Sequence, residues 1–313
     1  MGETECDSGE EDAEESRRPK QLRETTEPTV KEVCEHNLTH IPYRTWCAHC
    51  VRGKAKNPPH KRQSGKEEKR VPTVSADYCF LGSEEDESQA PVWVMIDHET
   101  KAVFAYVCEQ KGSESKGVVG QVVEDINKLG RAKVILKTDQ EPAVRDTQRA
   151  VRDQRQHETI LENSPVGESQ SNGVVERCIQ SVVAQVRTMK DALEKKHKQE
   201  VDSRSPVLHW LVRHAASLIT RHQVGKGGRT AYERWKGKQR RKELAEFGEC
   251  VHFKHSTAAK KPTKLEAQWE DGVWLGLADE SDEVFVGTKE GVFKARATRR
   301  KQLAERWGVE QLK

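Results

Sequence analysis

The chain has 313 residues, room for two or three domains, and apolar and charged residues each make up 34%, so its cores must be modest. Its formal charge of +3 conceals an acidic start, from Glu3 to Glu15, and a basic remainder of the kind that binding to a phosphate backbone needs. No apolar run reaches membrane-spanning length, the N-terminus lacks the basic and apolar regions of a signal peptide, and the eight cysteines show no secretory pattern; a reduced intracellular setting with no membrane association is expected.

Residues 1–32 are acidic, lack hydrophobic periodicity and read as a disordered tail. Residues 33–60 hold a compact His/Cys cluster that ends at Pro58-Pro59, and a basic linker follows over 61–70. From Val71 short β-rich runs appear at Val74–Leu81, Val92–Asp97, Ala102–Cys108 and Lys133–Lys137. Between the last two, Val118, Val122, Val123, Ile126 and Leu129 fall at helical spacing. Three meandering strands, a helix and a further strand open an RNase H-like α/β fold: a mixed sheet core with flanking helices, here spanning 71–236.

A long amphipathic helix is expected from Gly173 to about Lys195, where Val175, Ile179, Val182, Val183, Val186 and Leu193 form one stripe. Further helices are expected over Val207–Gln223 and Ala231–Trp235. After Phe247 short strands separated by turns, such as Glu270-Asp271-Gly272, suggest a small barrel-like β-rich domain over 247–300, and 301–313 reads as a terminal helix.

Three carboxylates stand out by their positions. Asp77 lies in the first strand, Asp139 at the end of the fourth and Glu176 in the first turn of the long helix. In an RNase H-like sheet the first and fourth strands are neighbours, and a following helix brings its first turn over their ends. That concentration of negative charge implies bound cations. Two Mg²⁺ or Mn²⁺ ions about 3.5–4 Å apart suit in-line displacement at phosphorus, without a covalent enzyme intermediate. Taken singly, each acid also has a plain structural reading: an exposed strand residue for Asp77, a turn former before Pro142 for Asp139, a helix N-terminal charge for Glu176.

At these residues the sequence resembles the integrase core of the retroviral and retrotransposon superfamily, closest to the Ty1/copia type. The match is carried by Ser164-Pro165 through Asn172-Gly173-Val174-Val175-Glu176-Arg177, by Leu136-Lys137-Thr138-Asp139-Gln140-Glu141-Pro142-Ala143, and by Val94-Met95-Ile96-Asp97-His98-Glu99-Thr100-Lys101. The resemblance implies a DDE polynucleotidyl transferase with Asp77, Asp139 and Glu176 as metal-holding acids, while Asp97 is a turn residue. It also implies DNA as substrate, 3′-end processing and strand transfer as the reactions, a homo-oligomer as the working form and no small-molecule cofactor. Action in the nucleus follows from the need for chromosomal DNA. The sequence departs from the family in the Gln-Glu-Pro-Ala that follows Asp139, where copia-type relatives place Asn and Gly.

His36-x3-His40 and Cys47-x2-Cys50 have zinc-ligand spacing, and the order of two His before two Cys is similar to the N-terminal zinc module of the same superfamily. Only six residues separate the pairs, and Cys34, His49 and His60 compete as ligands. Lys54, Lys56 and Arg62 on the linker, with Asn172 and Arg177 around the third acid, are candidate DNA contacts. Asn172-Gly173 also reads as simple turn and helix-cap chemistry. Two rivals stay open: a catalytically inactive or domesticated element-derived DNA-binding protein, and a nuclease of the same fold that only hydrolyses.

Overall fold

The computed structural model describes residues 25–37, 44–54, 71–82, 90–164, 169–202, 205–225, 227–239, 242–255, 265–281 and 283–308. The chain forms two compact units, 1–67 and 68–313. In the first, α1 (Val30–Asn37) and α2 (Ala48–Lys54) are the described elements.

The second unit is built on two five-stranded sheets. The first contains β1 (Thr73–Cys79), β2 (Val92–Asp97), β3 (Val103–Val107), β4 (Lys133–Thr138) and β5 (Glu158–Asn163), in the order β3-β2-β1-β4-β5. β1, β2 and β3 pair antiparallel, whereas β1-β4 and β4-β5 pair parallel. This mixed sheet, with the first and fourth strands adjacent, is the RNase H-like arrangement expected from the sequence.

Helices cover both faces, which explains why every residue of β2 is buried. Val74, Ala76, Tyr78, Trp93 and Met95 pack against α3 (Lys116–Lys128) and α4 (Pro142–Gln154). Val92, Val94 and Ile96 face the stripe of α5 (Ser169–His197), with Val175, Cys178, Val182 and Val186, and α6 (Pro206–His222). Thr220 of α6 covers the outer edge of β3, its hydroxyl accepting from Val103 N at 2.8 Å and donating to Val103 O at 3.0 Å. Ser205 caps α6, and a Thr230/Glu233 capping box opens α7 (Ala231–Lys236).

The second sheet contains β6 (Cys250–Lys254), β7 (Glu270–Leu277), β8 (Val284–Thr288), β9 (Gly291–Ala295) and β10 (Ala297–Arg300), in the order β10-β6-β7-β8-β9. Its edge strands β9 and β10 are joined by Arg296 alone. Flat, those edges would stand about 19 Å apart, so the sheet curls on itself into a barrel-like unit around Phe253, Trp274, Val284 and Val286. Val273, Leu275 and Phe285 point outward into the core shared with α5 and α6. Within the segment expected as a terminal helix, the described residues form one 3-10 turn, Leu303–Glu305. Among the described residues no helix is long and apolar enough to cross a membrane.

Candidate active site

β1 and β4 run parallel as neighbours, so their C-terminal ends open at the same edge of the sheet. Asp77 sits near the end of β1 and Asp139 directly follows β4. Side chains alternate along a strand; Asp77 therefore shares the face of Cys79, which packs into the α5 core. The half-buried Asp77 carboxyl is pushed up to about 6, first by burial and then by the Asp139 and Glu141 carboxylates, against the opposing Tyr78 N–H and the Lys111 ammonium. The structure thus brings Asp77 and Asp139 within electrostatic reach of each other.

Their surroundings hold them in place. Asp77 Oδ1 accepts from Tyr78 N at 2.8 Å, and Asp139 Oδ1 accepts from Glu141 N at 3.0 Å. Asn163, at the end of β5, donates to Asp139 O at 2.9 Å and to Thr138 Oγ1 at 3.1 Å. Gln140 donates to Ser164 O at 2.9 Å. Among the described residues the Tyr78 and Glu141 N–H groups are the hydrogen-bond donors to the two carboxylates, one on each Oδ1, so each Oδ2 is available to a cation. A pair of acids that repel one another, each with an oxygen to offer, is a donor set that fits Mg²⁺ or Mn²⁺.

Glu176 takes a different position. α5 begins at Ser169, earlier than expected, so Asn172 and Gly173 lie inside the helix rather than before it, and Asn172 does not act as its cap. Glu176 lies beyond the first turn and is exposed, next to fully buried Val175. Cys178, two residues on, lies close to Cys79, which sets this part of α5 over the end of β1. Even so, Asp77, Asp139 and Glu176 do not converge into one ligand cluster among the described residues. Asn172 is buried and its Oδ1 accepts from Ser164 Oγ at 2.6 Å. Arg177 is exposed. Lys56 and Arg62 lie outside the described residues, and of Lys54 only the backbone is described, at the end of α2. Asp97 is a turn residue, its Oδ2 accepting from Thr100 N at 2.8 Å and Thr100 Oγ1 at 2.6 Å.

Two residues at this site carry no assigned role in the sequence. Lys111, on the loop after β3, pairs with Glu141 at 2.7 Å, and its ammonium stands 5.0 Å from the Phe80 ring centroid and 5.7 Å from that of Tyr78. Lys111 is far from both acids in sequence. Glu141 carried a local signal, an acid two residues after Asp139 and directly before Pro142, which starts α4.

The described donor set for a second metal lies in the first unit. His36, Cys47 and Cys50 are all buried, and their ligand atoms lie within 4.8 Å of one another. His36 Nε2 stands 3.2 Å from Cys50 Sγ, and Trp46 packs edge-on against the His36 ring at 4.9 Å. His40 lies outside the described residues. One imidazole and two thiols at this spacing could hold a thiophilic divalent ion.

No protein-family model and no curated protein matches the chain. The solved structures that match parts of the chain include these two. One is the simian T-cell lymphotropic virus intasome in complex with PP2A regulatory subunit B56 gamma, at 14% identity and a TM-score of 0.43, over 82% of this chain and 87% of that one. The other is the HTLV-2 integrase catalytic core domain in complex with magnesium, at 15% identity and a TM-score of 0.37, over 53% of this chain and 97% of that one.

Proposed function

We propose that this chain is a retroelement integrase of the copia type, joining DNA ends to target DNA by metal-dependent phosphoryl transfer. The observation that carries the proposal is the pairing of Asp77 and Asp139 at the ends of adjacent parallel strands, with their mutual repulsion expressed in the raised Asp77 carboxyl. Asp77 and Asp139 would hold Mg²⁺ or Mn²⁺, and Glu176 would complete the set from α5. When bound, such ions activate the attacking oxygen and stabilise the leaving one. The chain's own contribution is to fix the acids through Tyr78, Glu141 and Asn163, and to supply cationic surface for the phosphate backbone at Arg177, Lys54, Lys56 and Arg62. His36, Cys47 and Cys50, with His40 as fourth donor, would hold a structural Zn²⁺. The division into a zinc segment, a catalytic core and a β-rich C-terminal domain, a homo-oligomeric working form and action in the nucleus belong to the same reading.

A specific observation favours a second reading. Among the described residues the three acids do not gather into one compact ligand set, and Asn172 is engaged in an internal hydrogen bond. That geometry suits a non-catalytic, element-derived DNA-binding protein. Strand transfer of labelled duplex ends into plasmid DNA, across a panel of end sequences with Mg²⁺ or Mn²⁺, separates the readings. The integrase yields joined products that vanish in Glu176→Gln. Cutting without joining identifies a nuclease, and binding without chemistry identifies the inactive remnant.

A further inference from the structure

Phe80 stands apart from the rest of its strand. Val74, Ala76 and Tyr78 are buried on the α3 and α4 side, whereas Phe80, just past the end of β1, is 45% exposed. Its ring lies against the Lys111 ammonium, and Lys111 in turn pairs with Glu141, whose N–H binds Asp139. The Lys111 loop is fixed rather than loose: Gly112 N donates to Tyr78 Oη at 3.2 Å and Ser113 N donates to Asp146 Oδ2 at 2.8 Å. Tyr78 Oη is itself bonded to Thr147 Oγ1 at 2.8 Å. An exposed aromatic ring and a positioned cation therefore stand together at the strand end that carries the acids, with the cation in electrostatic reach of Asp77. That combination matches one ligand chemistry: a flat π-surface for an unstacked base and an ammonium for the phosphate next to it.

We propose that Phe80 and Lys111 form a nucleotide-holding corner beside the acid pair, taking an unpaired base of a DNA end on the Phe80 ring and its phosphate on Lys111. The proposal deepens the end-joining reading and rests on it. Lys111 exchanges its Glu141 partner for the phosphate, and a divalent ion held by the acids would offset the freed negative charge. The corner selects frayed or overhanging ends over continuous duplex, because only there is a base free to leave its stack.

The test uses the full chain and a duplex end whose overhanging nucleotide is 2-aminopurine, with Ca²⁺ in place of Mg²⁺ to halt the complex before chemistry. The wild type quenches the fluorescence. Phe80→Leu loses the quench and binds the overhang about tenfold more weakly, while Phe80→Trp keeps both and blunt duplex binds equally to all three. Lys111→Gln lowers the salt dependence by about one phosphate contact. Thermal melts establish that each variant is folded. An unchanged quench in Phe80→Leu, or no quench in the wild type, overturns the corner. The end-joining reading is judged separately, by whether the wild type yields the strand-transfer products that Glu176→Gln lacks.

Discussion

Replacing Asp77 with Asn should stabilise the metal-free protein, and the size of the gain can be worked from the site. The Asp77 carboxyl stands at about 6 in the fold against an ordinary value of 3.8. Between those values the folded chain keeps a proton that the unfolded chain has released. Stability therefore falls as pH rises through that window, and the full loss is present above about pH 6. A shift of about two units corresponds to roughly 3 kcal/mol, and solvent screening of this partly exposed group reduces it to about 1–2 kcal/mol. Asn keeps the acceptor for Tyr78 N and removes the charge. In a chelator, thermal melts near pH 8 should then rise by about 2–8 °C in Asp77→Asn, with little change near pH 4. Added Mg²⁺ should raise the wild-type melting temperature and leave that of the variant unmoved. A variant that melts at or below the wild type near pH 8, or gains equally at both pH values, would refute the electrostatic account of the acid pair.

Two other outcomes test other parts of the molecule. Gly276 has φ of 125° in a bulge of β7, and a Cβ there would stand 2.8 Å from His214 Nδ1, so Gly276→Ala should cost about 2–3 kcal/mol, read as a lower urea midpoint. His214 cannot easily yield, since it is buried between Phe247 and Trp274 and burial holds its imidazole down to about 3. In the first unit, Cys50→Ser should release zinc from the purified protein on exposure to a chromogenic chelator far faster than the wild type does; a wild type that carries no zinc would remove the basis for the structural metal.

The legible parts of the fold were those whose burial follows a simple period. β1 to β4, α3, α5 and α6 each carry apolar residues on one face or throughout, and the sequence reading located all of them. α4 and β5 escaped it for an evident reason. α4 buries Thr147 and Gln148 beside only two valines, and Gln148 is useful there because its Nε2 donates to Leu136 O at 2.7 Å and Glu162 O at 3.0 Å. β5 is an edge strand with alternate residues exposed, too polar to stand out. The site divides along the same line. Asp77 and Asp139 stand out in the sequence because one lies near the end of a recognisable strand and the other directly follows one. Glu141 and Lys111 could not be grouped with them, since their contact depends on the β3–α3 loop folding back over the β4–α4 turn. Nor does the residue order reveal that α5 starts a turn early, at Ser169, with Asn172 and Gly173 inside it.

The length of α5 ties distant parts of the second unit to one another. Near its C-terminal end Leu193 fills the space above Gly248, and the His197 ring lies between Gly248 O and Gly308 O. Glu176 rides on the same rod about 32 Å away, at about 1.5 Å per residue. Between those ends Val175, Cys178, Val182 and Val186 seat the helix against β2 and α6, so the barrel holds one end of the same packed rod whose other end carries Glu176.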